Sequence, residues 1–432
     1  MAANWWKACK VYFDRRMIAM VMLGFSSGFP LLLVFSTLNL WLKDAGVPLT
    51  MIGLFSLAKT PYSLKWLWSP IVDRVKLPFF SRFGRRRGWA LFTQIWLMLA
   101  IGGMAMTNPA QSPVSMAIWA FVVTFASASQ DIVLDAYRIE SFDNREQGAG
   151  VAVFVLGYRI GTIFSGAGAL FMAASMDWSD VYKIMALGAV VGMVTIICSK
   201  EPKKDRKYKE RKLKGNWRQK LAQFMKKAVH EPLADFVKRP NWLWVLLFIF
   251  FYRMSDAYIG PMAYPFYDDL GFSKKEIATI VKLFGVAATI AGTLIGGIVV
   301  SKMGIVRSLL FCGVLQGLSN LVFVAQAYAG HNVQVFMLTI SIENITSGMG
   351  TAAFVAYLSS LCNVAYTATQ YALLSSLMSL ARDVFAATSG FLAAAISWQM
   401  FFVLTTLMAI PGMVILLYLI HKNSFTVESR IS

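Results

Sequence analysis

Charge is what this 432-residue sequence has least of. Asp, Glu, Lys and Arg together make up 15% of it, where a soluble domain carries roughly a quarter. Histidine occurs three times, and no His-x-x-x-His, Ser-Lys or paired-Asp protease constellation spans two of its apolar segments, which argues against an intramembrane enzyme. Cysteine is scarce as well. Cys9, Cys198, Cys312 and Cys362 have no metal-ligand spacing and no pairing on the exterior side of the topology derived below, so neither a metal site nor a disulfide framework is expected. Short alternating strands of the kind that build a membrane barrel are missing too.

What fills the chain is apolar. Hydrophobic residues reach 57% and the mean hydropathy is +0.58. A bilayer core about 30 Å thick needs roughly 20 apolar residues per helix. Apolar runs fall at about 17–41, 51–72, 89–107, 113–138, 150–174, 181–199, 241–263, 276–300, 309–328, 334–362, 370–394 and 397–420. The pattern predicts an all-α integral membrane protein with twelve spans. The first run follows Lys7, Lys10, Arg15 and Arg16, as a signal peptide would, but it is too long for a signal core and no small-residue cleavage site follows.

The net charge of +19 raises nucleic acid as a partner, and its distribution argues against one. The basic residues cluster between apolar runs, as cytoplasmic loops do, and no basic groove interleaved with stacking aromatics is present. Alternate loops are rich in Lys and Arg, the others are mixed in sign, and both termini are therefore expected in the cytoplasm. Residues 200–239 hold fifteen Lys or Arg against five Asp or Glu. This break divides the chain into a six-helix half at 1–199, a basic linker at 200–239, a second half at 240–424 and a tail at 425–432. Within the linker, Trp217, Leu221, Phe224, Met225 and Ala228 recur at helical spacing, which suits a helix resting on anionic lipid; a solvated linker is the alternative.

The halves carry related loops, as transporter halves do. After the second run comes Ser69-Pro-Ile-Val-Asp73-Arg74 and then Gly84-Arg85-Arg86-Arg87; after the eighth comes Ser301-Lys302-Met-Gly304-Ile-Val-Arg307. Both resemble the loop between the second and third helices of each half in the major facilitator superfamily. That resemblance implies a gating role for Asp73, Arg74, Arg85, Arg86 and Arg87. The second copy has Ser301 where the first has Asp73. Gly157 with Gly161, and Gly292 with Gly296, have small-xxx-small spacing and are read as helix contacts.

Ionisable residues inside the runs are the strongest functional signal, because each costs roughly 2.5–3.5 kcal/mol at mid-bilayer even on the lenient insertion scale. Lys59, Asp131, Asp135, Arg138, Arg159, Arg253, Asp256, Lys282, Glu343, Arg382 and Asp383 all qualify. Thr124, Ser127, Asp131, Asp135 and Arg138 form a polar stripe on the fourth run. Asp131 and Asp135 lie one turn apart and cannot both ionise cheaply unless Arg138 neutralises one of them. Two readings stand: proton coupling at Asp131, or an Asp135–Arg138 bridge that holds the fold. Arg253 and Asp256 share a face of the seventh run, Lys59 and Tyr62 a face of the second, and Glu343 and Asn344 lie in the tenth. If the first, fourth, seventh and tenth helices line a cavity, its walls suit a large hydroxylated solute bearing carboxylates.

At these residues the chain resembles one family, the AmpG muropeptide permeases. The matching stretches are Ser127-Ala-Ser-Gln130-Asp131-Ile-Val-Leu-Asp135-Ala, Leu23-Gly-Phe-Ser-Ser-Gly28-Phe-Pro30, Phe83-Gly-Arg-Arg-Arg-Gly-Trp89, Val155-Leu-Gly-Tyr-Arg159, Glu343-Asn344-Ile-Thr-Ser-Gly-Met-Gly350 and Thr367-Ala-Thr-Gln370. The resemblance covers about residues 17–420. It implies a twelve-helix major facilitator fold in the bacterial inner membrane. It also implies import of N-acetylglucosaminyl-anhydro-N-acetylmuramic acid and its peptides, driven by the proton gradient without a cofactor, for peptidoglycan recycling and, in some species, β-lactamase induction. Carried across residue by residue, it points to Gly28, Gln130, Asp131, Arg159, Glu343 and Asn344. The resulting expectation assigns proton coupling to Asp131 and Asp135, and substrate contact to Gly28, Gln130, Arg138, Arg159, Lys59, Tyr62, Arg253, Asp256, Glu343 and Asn344. A monomer is expected. The alternatives are transport of another anionic metabolite, or a signal transducer without flux.

Overall fold

The structure is a computed structural model that describes residues 10–48, 51, 55, 58, 60–202 and 231–422. Among these residues it is helical with no strand. Helix is the expected solution, since in a bilayer it satisfies every backbone donor and acceptor within its own segment. Helices follow the predicted runs: α1 (Arg15–Asp44), α2 (the short pieces Thr60–Leu64 and Ser69–Arg74), α3 (Arg85–Ala105), α4 (Pro113–Ser141), α5 (Gln147–Ala173), α6 (Trp178–Cys198), α7 (Trp242–Asp269), α8 (Lys275–Met303), α9 (Ile305–Ala329), α10 (Val333–Ser360), α11 (Thr367–Ala395) and α12 (Trp398–His421). Nine of the helices among the described residues are both long and apolar enough to cross a membrane. α10 and α11, with 28 and 29 residues, are long enough but are diluted by their Ser, Thr, amide and charged residues, and α2 is in pieces. Length and apolarity alone therefore do not reach the expected count of twelve. The stretch proposed as a lipid-surface helix, 217–228, lies outside the described residues, as do Lys59 and Cys9.

An internal repeat is written into the ends of the helices. α1 finishes Asp44-Ala45-Gly46 and α7 finishes Asp269-Leu270-Gly271, with both glycines left-handed at φ +77° and +83°. The same two hydrogen bonds close each turn, Gly46 N to Lys43 O and Val47 N to Leu42 O in one, Gly271 N to Asp268 O and Phe272 N to Tyr267 O in the other. A residue with a Cβ would be strained there, which is why glycine ends both helices. Each Asp then accepts from the indole N–H of the tryptophan that starts the sixth helix of its half: Trp178 Nε1 to Asp44 Oδ2, and Trp398 Nε1 to Asp269 Oδ2, each 2.9 Å.

Close packing within the halves depends on small residues. A Cβ on Gly157 would lie 1.8 Å from Val21 O, and one on Gly161 2.3 Å from Phe25 O, so α5 lies directly on α1. Gly292 and Gly296 do the same for α8 against α10, at Ile345 O and the Met349 Cα. Both pairs are helix contacts, as their spacing predicted. Gly28 belongs to this set: it is buried against Tyr158 O, 2.2 Å from where a Cβ would lie.

The apolar cores are almost separate. One lies wholly in the first half around Leu38, Met104 and Met185, and one wholly in the second around Phe266, Phe336 and Phe402. The buried residues that cross between halves are few: Ile139 packs into a core of the second half, and Ala368 and Ala372 pack into one of the first. All three are near the end of the molecule where the described chain begins and finishes, called the lower end below.

Candidate functional site

Lower-end contacts form a seal. Asp73, at the end of α2, accepts from the N–H of Ala368 (3.2 Å), the N–H of Thr369 (2.8 Å) and the Thr369 hydroxyl (2.7 Å) at the start of α11. It thereby satisfies backbone donors that a helix start leaves open, and it places a negative charge at the positive end of the helix dipole. Arg86 holds Asp73 from behind at 2.7 Å and Glu140 at 2.6 Å, with none of its side chain exposed. Arg85 reaches Glu140 at 3.0 Å. Arg87 donates to the carbonyls of Ile196 and Ile197 at the end of α6, and Glu201 accepts from the backbone N–H of Arg86 and Arg87. Arg74 pairs with Glu231 at 3.2 Å and lies over Tyr366. The five loop residues singled out by sequence thus all take part in charged or carbonyl contacts, and Asp73 and Arg74 reach beyond the first half.

The seal has a second side. Tyr12 donates to Leu294 O at 2.7 Å, Ser301 donates to Arg145 O at 2.9 Å, and Gly148 of α5 abuts Val300 of α8. Between the two sides sits Arg138. It was expected to touch substrate, but its side chain is 1% exposed; it donates to Ser359 Oγ at 3.2 Å and lies against Tyr371 of α11. The reason is its position one turn from the lower end of α4, below the open part of the interface. Its bond to Asp135 is long, 3.4 Å. The bonds of Tyr12, Asp73, Arg138 and Ser301 that cross between the halves all belong to this lower seal.

Above the seal the polar stripe of α4 faces α1 and α2. Ser27 donates to Asp131 Oδ1 at 2.6 Å, Tyr62 donates to Ser127 Oγ at 2.8 Å, and Trp68 Nε1 donates to Ser129 Oγ at 3.0 Å. Gln130 is buried on the far face, where its amide donates to Ser26 O at 2.7 Å and ties α4 to α1. Asp131 has no ion pair among the described residues. Besides Arg138, Lys65 stands 3.9 Å from Asp135 and within the field of Asp131. Sequence reasoning named Lys59, which lies outside the described residues; Lys65 was equally visible inside the second apolar run.

The second half offers a tighter arrangement. Arg253 pairs with Asp256 at 2.7 Å and donates to Thr351 Oγ1 (2.7 Å) and Ser347 Oγ (3.3 Å) of α10. Gln316 of α9 completes Asp256 at 2.8 Å. A small cavity behind the pair is walled by Gly313, Gly317 and Gly350. Asn344 accepts from Thr289 at 2.6 Å, whereas Glu343, part-exposed one turn above Ser347, makes no side-chain hydrogen bond or ion pair among the described residues. Arg159 is likewise exposed and unpaired there. Gln316 and Ser27 were not among the expected contacts, since nothing in a single helix pattern says which neighbour completes a buried acid.

With this geometry in place, the comparisons agree. The family model for the Major Facilitator Superfamily matches residues 17–258 and 245–430. The chain is 37% identical over 415 residues to "Putative transporter AmpG 4" of Rickettsia felis, covering 96% of this chain and 98% of that protein. It is 36% identical over 410 residues to the anhydromuropeptide permease of Escherichia coli K12, covering 94% of this chain and 80% of that protein. Among solved structures, the fold is similar to the proton:xylose symporter XylE (TM-score 0.64, 13% identity, 97% of this chain and 95% of that one). It is equally similar to the human organic anion transporter MFSD10 (TM-score 0.64, 14% identity, 93% and 98%). The chain belongs to the Major Facilitator Superfamily and, within it, to the AmpG permeases: it is a multi-pass membrane transporter and not an enzyme.

Proposed function

We propose that this protein imports anhydro-muropeptides from periplasm to cytoplasm across the bacterial inner membrane, coupled to proton entry at Asp131, and so serves peptidoglycan recycling and, through it, β-lactamase induction. The solute comes from the relatives named above and fits walls that combine hydroxyl, amide, carboxylate and guanidinium groups from both halves. With the termini in the cytoplasm, as the loop charges favour, the lower seal is the cytoplasmic gate and the interface above it admits solute from outside.

The observation that carries the coupling is the contrast between Asp131, hydrogen-bonded but without an ion pair among the described residues, and the paired acids around it. Asp73, Asp135, Glu140 and Asp256 each have a guanidinium or ammonium partner; Asp131 has a serine hydroxyl. An acid in the membrane core without a countercharge is free to take and release a proton without breaking an ion pair. One proton entering down 100 mV contributes about 2.3 kcal/mol, enough for roughly fifty-fold accumulation of solute.

The test is uptake of labelled anhydro-muropeptide into proteoliposomes with an imposed proton gradient, with and without a protonophore. Wild type should accumulate solute only with the gradient. Asp131→Asn should lose accumulation yet retain exchange of solute across the membrane in its absence. Gradient-driven uptake at the wild-type level in Asp131→Asn would remove Asp131 from the mechanism.

A further inference from the structure

Two arginines rise above the lower seal from opposite halves, and the helix geometry aims both at the space between them. On α5, Gly148 marks the face turned to the second half, because a Cβ there would lie 2.5 Å from the Val300 Cβ of α8. Arg159 follows eleven residues later, which at 100° per residue returns it to within about 20° of that face. On α11, Tyr371 lies against Arg138 of the first half, at 5.4 Å from guanidinium to ring centroid, and Ala368 and Ala372 pack into the first half's core. Arg382 follows Tyr371 by the same eleven residues and returns to the same face. Both helices start at the lower end. At 1.5 Å per residue Arg159 stands about 16 Å above Gly148 and Arg382 about 16 Å above Tyr371, both above the seal.

Neither arginine is committed to a strong partner. Arg159 is exposed and has no ion pair among the described residues. Arg382 is 67% exposed and reaches only its chain neighbour Asp383, at 3.3 Å. Adjacent helical residues point about 100° apart, so that pair cannot be well formed, and exposed pairs contribute little. A third residue ties the two together: the Tyr158 hydroxyl lies in the electrostatic field of Arg159, Arg382 and Asp131 at once. The second-half arginine Arg253, by contrast, already has three oxygen partners, on Asp256, Thr351 and Ser347.

We propose that Arg159 and Arg382, one from each half, form a split clamp for a carboxylate of the transported solute. This rests on the proposed function and adds to it the chemical group that is gripped and Arg382 as a residue that grips it. Guanidinium groups match a carboxylate with two parallel hydrogen bonds. Asp383 follows Arg382 in the chain and Asp131 shares the field at Tyr158; both acids would repel the higher charge of a phosphate, which makes a singly charged carboxylate the better occupant. Because the two arginines belong to different halves, a carboxylate bound to both draws the halves together above the seal. An amide in its place lacks the charge to do so.

The experiment is equilibrium binding of an anhydro-muramyl tripeptide with free carboxylates, and of its fully amidated form, to purified full-length protein. Wild type, Arg159→Gln, Arg382→Gln and Arg382→Lys are compared, each checked for a monodisperse elution profile. Losing a charge-assisted contact should weaken binding of the free-carboxylate peptide by at least about tenfold in each Gln variant. The amidated peptide should bind wild type and the Gln variants alike, and Arg382→Lys should recover part of the loss. The two Gln changes combined should lose less than the product of the single losses, since both act on one group. Unchanged affinity of Arg382→Gln for the free-carboxylate peptide overturns the clamp while leaving the transport reading intact. Equal loss for the two peptides overturns it also, as it would mark a structural role. If wild type binds neither peptide, the muropeptide reading itself fails and the clamp falls with it.

Discussion

The two halves match at the upper end and part company at the lower. Above, Asp44 with Trp178 and Asp269 with Trp398 are the same contact at the same 2.9 Å. Below, the equivalent loops differ in kind. The first half offers Asp73, Arg86 and Glu140, a buried charged cluster whose central guanidinium is fully covered. The second offers the Ser301 hydroxyl to one carbonyl of the first half. The repeat therefore sets the architecture, and the seal across it is lopsided: opening the lower end must break charge-assisted bonds where α2 meets α11, but little beyond neutral hydrogen bonds and apolar contact where α5 meets α8.

The largest expected effect tests that asymmetry directly. Arg86→Ala leaves Asp73 buried without a cation and Glu140 with Arg85 alone. Breaking a buried pair from one side costs about 3–5 kcal/mol, so the thermal midpoint in detergent should fall sharply and reconstituted protein should be found largely in forms open at the lower end. Spin-label or fluorescence distances between the lower ends of α2 and α11 read the second effect. A midpoint within the error of wild type would mean that the cluster is not holding the seal.

Next in size is the contrast between the acids of the two halves. Asp131→Asn removes an acid that has no ion pair among the described residues and should abolish the roughly fifty-fold accumulation that one proton can drive. Asp256→Asn leaves Arg253 with Thr351 and Ser347 but without its 2.7 Å carboxylate; it should weaken solute binding and protein stability while gradient dependence persists. Uptake measured with and without the gradient separates them. If Asp256→Asn loses gradient dependence and Asp131→Asn keeps it, the assignment of roles to the halves is reversed.

Much of this arrangement was legible before any coordinates, and the divide between what was and was not has a physical basis. Apolar run length places helices because the bilayer imposes it. Small-xxx-small spacing identified Gly157 with Gly161 and Gly292 with Gly296 because close approach requires that geometry whatever the partner. The i, i+3 spacing of Arg253 and Asp256 forecast their pair because both lie on one helix. What failed depended on a neighbouring helix. Arg138 was read as cavity lining, yet it is sealed against α10 and α11, because height along the interface decides the matter and a helical wheel carries no height. Lys65 was passed over, since a lysine in an apolar run shows no partner until α4 is placed beside it. Gly28, expected from family resemblance to touch solute, is buried against the backbone of α5. The Trp–Asp ties at the upper end were equally hidden, because they join the first and sixth helices of each half across more than a hundred residues.

A smaller effect sharpens the comparison from the weak side of the seal. Ser301→Ala removes one neutral hydrogen bond, to Arg145 O, for a loss of about 0.5–1.5 kcal/mol, several-fold less than Arg86→Ala. Replacing Ser301 by Asp, the residue type that its counterpart Asp73 supplies, puts a carboxylate beside that carbonyl, and repulsion rather than a second lock should result. The distance between the lower ends of α5 and α8 should then grow relative to wild type. A tightened seal in Ser301→Asp would mean that the two loops are interchangeable after all.

The second half does contribute charge to the lower end, but from the linker side, and acid should expose it. The short helix Glu231–Val237 carries Asp235, which accepts from Gln370 (2.9 Å) and Asn363 (3.1 Å) and pairs with Arg239 at 2.8 Å. Burial pushes the Asp235 carboxyl up, but the hydrogen bonds from Gln370, Arg239 and Asn363 outweigh it and hold the group below the usual carboxylate range. A group depressed in the folded state contributes stability that is present above its unfolded value, near 4, and is lost as pH falls through the folded value. Asp235→Asn should therefore flatten the decline of the thermal midpoint below about pH 4, while leaving the midpoint slope at neutral pH unchanged. The effect is the smallest of the series, because Asp235 is one acid among several that protonate together there. An unaltered acid slope in Asp235→Asn would show that this contact turns over without cost, and that the charged hold on the start of α11 rests on Asp73 and its cluster.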